Sequence, residues 1–182
     1  GLDDILHSIR SAKYNSHIRG IYLQAGTMEA PLASLEEIRD ALKDFQESGG
    51  YTVVEVQGVR IAFVAFTKGM DGMALPAGSE GCVNLLYKDY NSTYQKVDSE
   101  GIKAVLENVR KAKPDITIAL LHWGSAYNGI VSDSQKEIVT LMQKEGVDAI
   151  VGTHSHYVQD VEFDPAKNTF VAYSLGDLLG DG

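Results

Sequence analysis

The chain has 182 residues, with 16 Lys and Arg against 25 Asp and Glu, for a formal net charge of −9. The acidic balance argues against nucleic acid or an anionic membrane surface as the main partner. A hydrophobic content of 44% and a charged content of 23% are those of a globular chain rather than a disordered one. In chain order, Leu2, Ile5, Leu6, Ile9 and Ala12 form a helical stripe, and Gly20 to Ala25 is strand-like. Ser34 to Glu37 is a capping box that opens a helix, with Leu35, Ile38, Leu42 and Phe45 on one face and Gly49-Gly50 at its end. Tyr51 to Val56 and Val59 to Phe66 flank Gln57-Gly58 and predict a hairpin. Residues 68–97, rich in Gly, Tyr, Asn and Asp, predict a long loop, and such loops inside a compact domain are often functional. Asp98 or Ser99 caps a helix through Val105, Val109 and Ala112, and Pro114 marks its break before a strand from Ile116 to Leu121. Ser132 to Gln135 is a second capping box, whose helix runs to Glu145 with Gly146 at its end. A strand from Val147 to Val151 follows, then a pair, Val158 to Phe163 and Thr169 to Tyr173, around a turn at Asp164-Pro165. The whole predicts an α/β fold, a mixed sheet flanked by helices.

Three histidines stand at predicted strand ends. His122 closes the run from Ile116 in His122-Trp-Gly124, and His154 and His156 follow the run from Val147 in Gly152-Thr-His-Ser-His-Tyr157. Open α/β sheets gather their active sites at strand ends. On an extended segment, a His-x-His sends both rings to one side. Converging neutral imidazoles suit a divalent metal. The plainer alternative is that all three are polar residues capping strands. His7 lies on a helix and His17 precedes a strand, and both are read as structural or exposed. Cys82 is the sole cysteine, so no disulfide framework exists, and it is read as a small filler rather than a nucleophile. No apolar run reaches membrane-spanning length and no signal-peptide pattern opens the chain, so no targeting segment is expected in it.

From about Tyr51 onward the chain resembles the C-terminal half of the CapA family of poly-γ-glutamate capsule-synthesis proteins, which are related to calcineurin-like metallophosphoesterases. The residues that carry the likeness are Val56-Gln-Gly-Val-Arg-Ile-Ala-Phe63, Leu121-His-Trp-Gly124, Glu145-Gly-Val-Asp-Ala-Ile-Val-Gly-Thr-His-Ser-His156 and Val171-Ala-Tyr-Ser-Leu-Gly-Asp177. The resemblance implies a partial metallophosphoesterase fold and a metal-dependent hydrolase-like role in capsule or envelope polymer metabolism. It implies catalytic roles for His122 and His154, and His122, His154 and His156 as ligands of a divalent metal of the Mn, Zn or Fe class. It also implies an anionic polymer or phosphate-bearing substrate and an extracytoplasmic, cell-envelope location for the parent protein. The family's early Asp and Asn-His ligands have no counterpart before residue 122. The glutamate expected two residues after His-Trp-Gly is Ala126, and the family's Ser-Leu-Gly-Asn is Ser174-Leu-Gly-Asp177. Asp177 is either a polar substitute near the site or a cap for the turn that follows. These departures predict an inactive or weakly active fragment; the competing class is a non-enzymatic binding module with a vestigial histidine cluster.

Residues 2–49 resemble instead part of the N-terminal domain of SppA-type signal peptide peptidases, through Leu2-Asp-Asp-Ile-Leu6, Ile18-Arg-Gly-Ile-Tyr-Leu23 and Ala33 to Phe45. Neither residue of that family's Ser–Lys dyad falls in this stretch, so Ser34 and Lys43 are read as a helix cap and a solvated face. The domain reading is a helix–strand–helix segment at 1–49, a possible fusion, followed by the capsule-type unit at 50–182. One continuous capsule-type domain is the alternative. A homo-oligomer is expected, because apolar strands that lack their covering layer favour self-association.

Overall fold

The computed structural model describes residues 6–11, 50–70, 72–75, 77, 81 and 83–177. The predicted strand at 20–25, the helix from Ser34, His17 and Cys82 lie outside the described residues. Residues 6–11 are helical, and their Leu6 and Ile9 are buried.

Six strands form one sheet: β1 (Tyr51–Val56), β2 (Val59–Thr67), β3 (Ile116–His122), β4 (Ala149–Thr153), β5 (Val161–Asp164) and β6 (Thr169–Ala172). Their spatial order is β1-β2-β3-β4-β6-β5. The four central strands run parallel, while β1 and β5 lie antiparallel at the two edges. Parallel neighbours require long crossovers. The helix α1 (Ser99–Lys111) supplies the one between β2 and β3, and α2 (Asp133–Lys144) the one between β3 and β4.

Local chemistry accounts for the element boundaries. Gln57 and Gly58 both have positive φ, 52° and 82°, as a two-residue hairpin turn demands. The Asp98 carboxylate accepts from the Gly101 amide and caps α1. Ser132 and Gln135 form the reciprocal capping box that the sequence predicts for α2. Gly146, at φ 82°, takes the left-handed position after α2. The fourth strand begins two residues later than the apolar run predicts. Val147 is buried, but its amide still bonds the Met142 carbonyl at the end of α2, so it closes the helix rather than opening the strand. The predicted pair after it is also shorter, with Val158 making only an isolated bridge to Leu175. Residues 68–97 hold no helix or strand among those described, yet they are anchored by bridges Thr67–Leu85 and Tyr87–Val97 and by buried Leu86.

One face of the sheet, carrying Ala62, Val64, Ala119, Leu121, Ile150 and Val171, shares a buried cluster with Ile102, Leu106 and Val109 of α1 and Ile138 and Met142 of α2. Strand alternation puts the intervening residues on the opposite face. Register aligns Phe63, Ile118, Ala149, Phe170 and Phe163 in one row there, and Ala65, Leu120, Val151, Ala172 and Val161 in the next.

Candidate metal and anion site

The C-terminal ends of the parallel strands converge on one edge, where Thr67, His122 and Thr153 stand in register. Strand β3 delivers His122 as its last residue, and β4 delivers His154 one residue past its end. Their rings meet with centroids 4.3 Å apart and planes 49° apart. The Lys68 amide bonds the His122 carbonyl at 2.7 Å, which ties the end of β2 to the same edge.

His156 goes elsewhere. The expectation of an extended His-x-His is not met, because the strand stops at Thr153 and both His154 (φ 95°) and His156 (φ 61°) take left-handed backbone. Left-handed residues break the two-residue alternation that would put both rings side by side. The His156 ring stacks on Tyr127 at 4.5 Å, with planes 9° apart. Its Nδ1 lies 2.9 Å from the Asp177 carboxylate. A carboxylate only accepts, so Nδ1 is the donor of this bond. The Asp177 amide also bonds the His156 carbonyl at 3.2 Å. His7, on the helical segment, lies 3.4 Å from Ser11 Oγ within that same segment.

Lys68 belongs to no motif that sequence reasoning singles out, although it follows an apolar run as the histidines do. Its Nζ donates to the Gly124 carbonyl at 2.6 Å, lies 3.4 Å from His154 Nε2 and sits 4.6 Å over the Tyr94 ring. It lines a cleft of about 280 Å³ with Tyr87, Tyr94, Gly124, Ser132 and Asp133, beside the N-terminus of α2. Burial raises the Tyr87 phenol above its ordinary pKa, so this hydroxyl stays protonated and bonds Ser134 at 3.2 Å.

A buried frame holds the edge in place. The Trp123 indole, fully buried, donates to the Tyr173 carbonyl at 2.8 Å and stacks on the Tyr173 ring. Burial pushes the Tyr173 phenol up to about 12. The buried Gln135 donates to Gln159, which donates to the Asn128 and Ile130 carbonyls, so the loop after Trp123 is pinned to the strand-end segment that follows the histidines.

Two imidazoles in contact fit part of a divalent-metal site. Among the described residues no group of three or more His, Cys, Asp or Glu is arranged to hold a metal ion. The pair therefore fits the metal incompletely.

Comparison with known proteins agrees with the landmarks around these residues. The family model of bacterial capsule synthesis proteins, PGA_cap, matches residues 41–182. The "Capsule biosynthesis protein CapA" of Bacillus anthracis is 27% identical over 172 residues, covering 92% of this chain and 39% of that protein. The "PGA biosynthesis protein CapA" of Bacillus subtilis is 34% identical over 71 residues, covering 39% of this chain and 18% of that protein. A hypothetical protein from Thermus thermophilus, solved as a crystal structure, aligns with a TM-score of 0.45 at 15% identity, covering 97% of this chain and 71% of the other. The chain thus spans about two-fifths or less of the length of these curated relatives. Both the family match and the B. anthracis alignment run across residue 50. With residues 41–182, more than half its length, matched by the family model, the chain belongs to the bacterial capsule synthesis protein family.

Proposed function

We propose that this chain serves capsule polymer metabolism at the bacterial cell envelope as the histidine-bearing part of a metal-dependent, hydrolase-like site. Its substrate class is an anionic polymer or a phosphate-bearing group. The observation that carries the reading is the contact between His122 and His154 at the ends of adjacent parallel strands. Support comes also from the relatives, both named as capsule or PGA biosynthesis proteins. No described helix is long and apolar enough to cross a membrane.

A divalent ion of the Mn, Zn or Fe class, when bound, would activate water and offset developing negative charge. His122 and His154 would hold it, and the remaining ligands would come from outside the described residues. Trp123 and Gln135 position the two histidine-bearing segments through the hydrogen bonds described above. Asp177 orients His156. With the site incomplete, this chain alone hydrolyses phosphate esters at a trace level or not at all. A generic phosphodiester assayed with added manganese tests this. Robust turnover that His154→Ala abolishes would mean the chain carries a complete centre.

A second reading, a non-enzymatic module that binds anions, is favoured by Lys68. Its ammonium lies at His154 Nε2, the kind of nitrogen a metal would use. Zinc content of untagged protein separates the two readings: it exceeds background and falls in His122→Ala under the first, and stays at background under the second.

A further inference from the structure

We infer that Asn128-Gly129 is a site of spontaneous covalent modification, where the fold presents the Asn128 side chain for cyclisation onto the next peptide with loss of ammonia. The inference goes beyond the metal reading and does not depend on it. Asn128 is the one asparagine of the chain that a glycine follows. Asparagine is a thermolabile residue, because the nitrogen of the following peptide can attack its side-chain amide carbon. A side chain on the following residue hinders that attack, and glycine has none.

The loop supplies the geometry. The Asn128 Oδ1 accepts from the Ile130 amide at 2.9 Å. Such a turn wraps the side chain over the Asn128–Gly129 peptide and holds Cγ beside the Gly129 nitrogen. The same bond polarises the side-chain carbonyl and sets a donor where the tetrahedral intermediate carries its negative charge. Gly129 is exposed and its amide donates to no acceptor among the described residues, so solvent base can take its proton. The Asn128 and Ile130 carbonyls, on either side, accept from Gln159 Nε2 at 3.0 and 3.2 Å. Gln159 is itself buried and bonded to the buried Gln135. The reacting groups therefore sit in a surface loop tied to a rigid frame.

The step needs only water and hydroxide. The Gly129 nitrogen gives up its proton and attacks Asn128 Cγ. A C–N bond forms, the bond from Cγ to the amide nitrogen breaks, and ammonia leaves a cyclic imide. Water then opens the ring at either carbonyl, giving aspartate or isoaspartate. Isoaspartate routes the main chain through the former side chain and lengthens it by a methylene, directly after Tyr127. It also turns the carbonyl that Gln159 holds into a carboxylate. Since Tyr127 stacks on the His156 ring, the modification slackens, irreversibly, the loop that lies against His156.

Incubation of the full chain at mildly alkaline pH, followed by peptide mapping with mass spectrometry, is the test. Asn128 should convert ahead of Asn91 and Asn108, which precede serine and valine. In Gly129→Ala the rate at Asn128 should fall at least about tenfold. That variant should fold, because a Cβ at Gly129 meets only the Tyr157 Cβ, at 4.0 Å. The His156 imidazole shifts should move in step with isoaspartate at Asn128; unmoved shifts would overturn the consequence drawn for the loop. An Asn128 that stays intact in the folded chain while it converts in the urea-unfolded chain overturns the inference, since the fold then protects the site. This comparison needs no variant and carries the test if Gly129→Ala does not fold. Conversion at the parental rate in folded Gly129→Ala also overturns it, since the glycine then plays no part.

Discussion

Replacing Gly152 with alanine gives a sharp test of how the histidine edge is held. Gly152 lies in β4, two residues before His154. A Cβ placed there would fall 2.0 Å from the Tyr173 carbonyl oxygen and 2.3 Å from Trp123 Nε1. Those are the two atoms of the buried 2.8 Å hydrogen bond that locks Trp123, the residue after His122. Neither can yield cheaply, because one is backbone and the other belongs to a fully buried ring. Losing the bond and stranding a buried indole N–H costs about 1–3 kcal/mol. Overpacking the surrounding core adds about 1–3 kcal/mol. The sum, about 2–6 kcal/mol, is a large share of the about 5–15 kcal/mol that stabilises a typical domain. At about 2–4 °C per kcal/mol for a chain of this size, the melting temperature should fall by about 4–24 °C. Gly146→Ala is the control. Its Cβ meets nothing within 4 Å, and only its φ of +82° is strained, so the cost should be about 1 kcal/mol. Scanning calorimetry of the three proteins decides it. A Gly152→Ala protein that melts within about 2 °C of the parent, or no lower than Gly146→Ala, would refute the packing argument.

Ser132→Ala removes the hydroxyl half of the α2 capping box, keeps the backbone amide that donates to Gln135, and should cost about 1 kcal/mol, a fall of about 2–4 °C in the same calorimetric scan. Asp89 accepts from the Thr93 hydroxyl and from the Gln95 and Lys96 amides, which together hold its carboxyl at about 2 instead of 3.8. A carboxyl lowered in the folded state stabilises above its unfolded value and loses that contribution as pH falls through its folded value. The Asp89–Lys96 turn should therefore loosen between about pH 4 and pH 2, and in Asp89→Asn it should be loose at neutral pH; the amide shifts of Gln95 and Lys96 report it. Asp177→Ala removes the acceptor for His156 Nδ1, so the imidazole nitrogen shifts of His156 at alkaline pH should lose their preference for the Nδ1–H tautomer. Unchanged shifts would mean that the carboxylate does not orient the ring.

The sequence made the sheet largely legible where its periods were clean. Caps at Asp98 and Ser132 and the Gln57-Gly58 turn all formed as their chemistry requires. Boundaries slipped where a buried apolar residue served a helix end instead of a strand, as at Val147. Strand-end logic places His122 and His154 on one edge, where their rings lie in contact. It failed for His156, because periodicity cannot foresee two left-handed residues after Thr153. The partnership of His156 with Asp177, and the placement of Lys68 at His154, join segments 21 and 86 residues apart. No local pattern encodes such contacts.

The central claim is that His122 and His154 form one cation site. It is tested most directly by titrating the full chain with manganese while observing the histidine imidazoles by nuclear magnetic resonance. Paramagnetic broadening should strike His122 and His154 first and together, leave His7 sharp, and weaken as pH falls, because an imidazole must be neutral to bind metal. Broadening confined to other residues, or none at His122 and His154 while they remain neutral, would contradict the account.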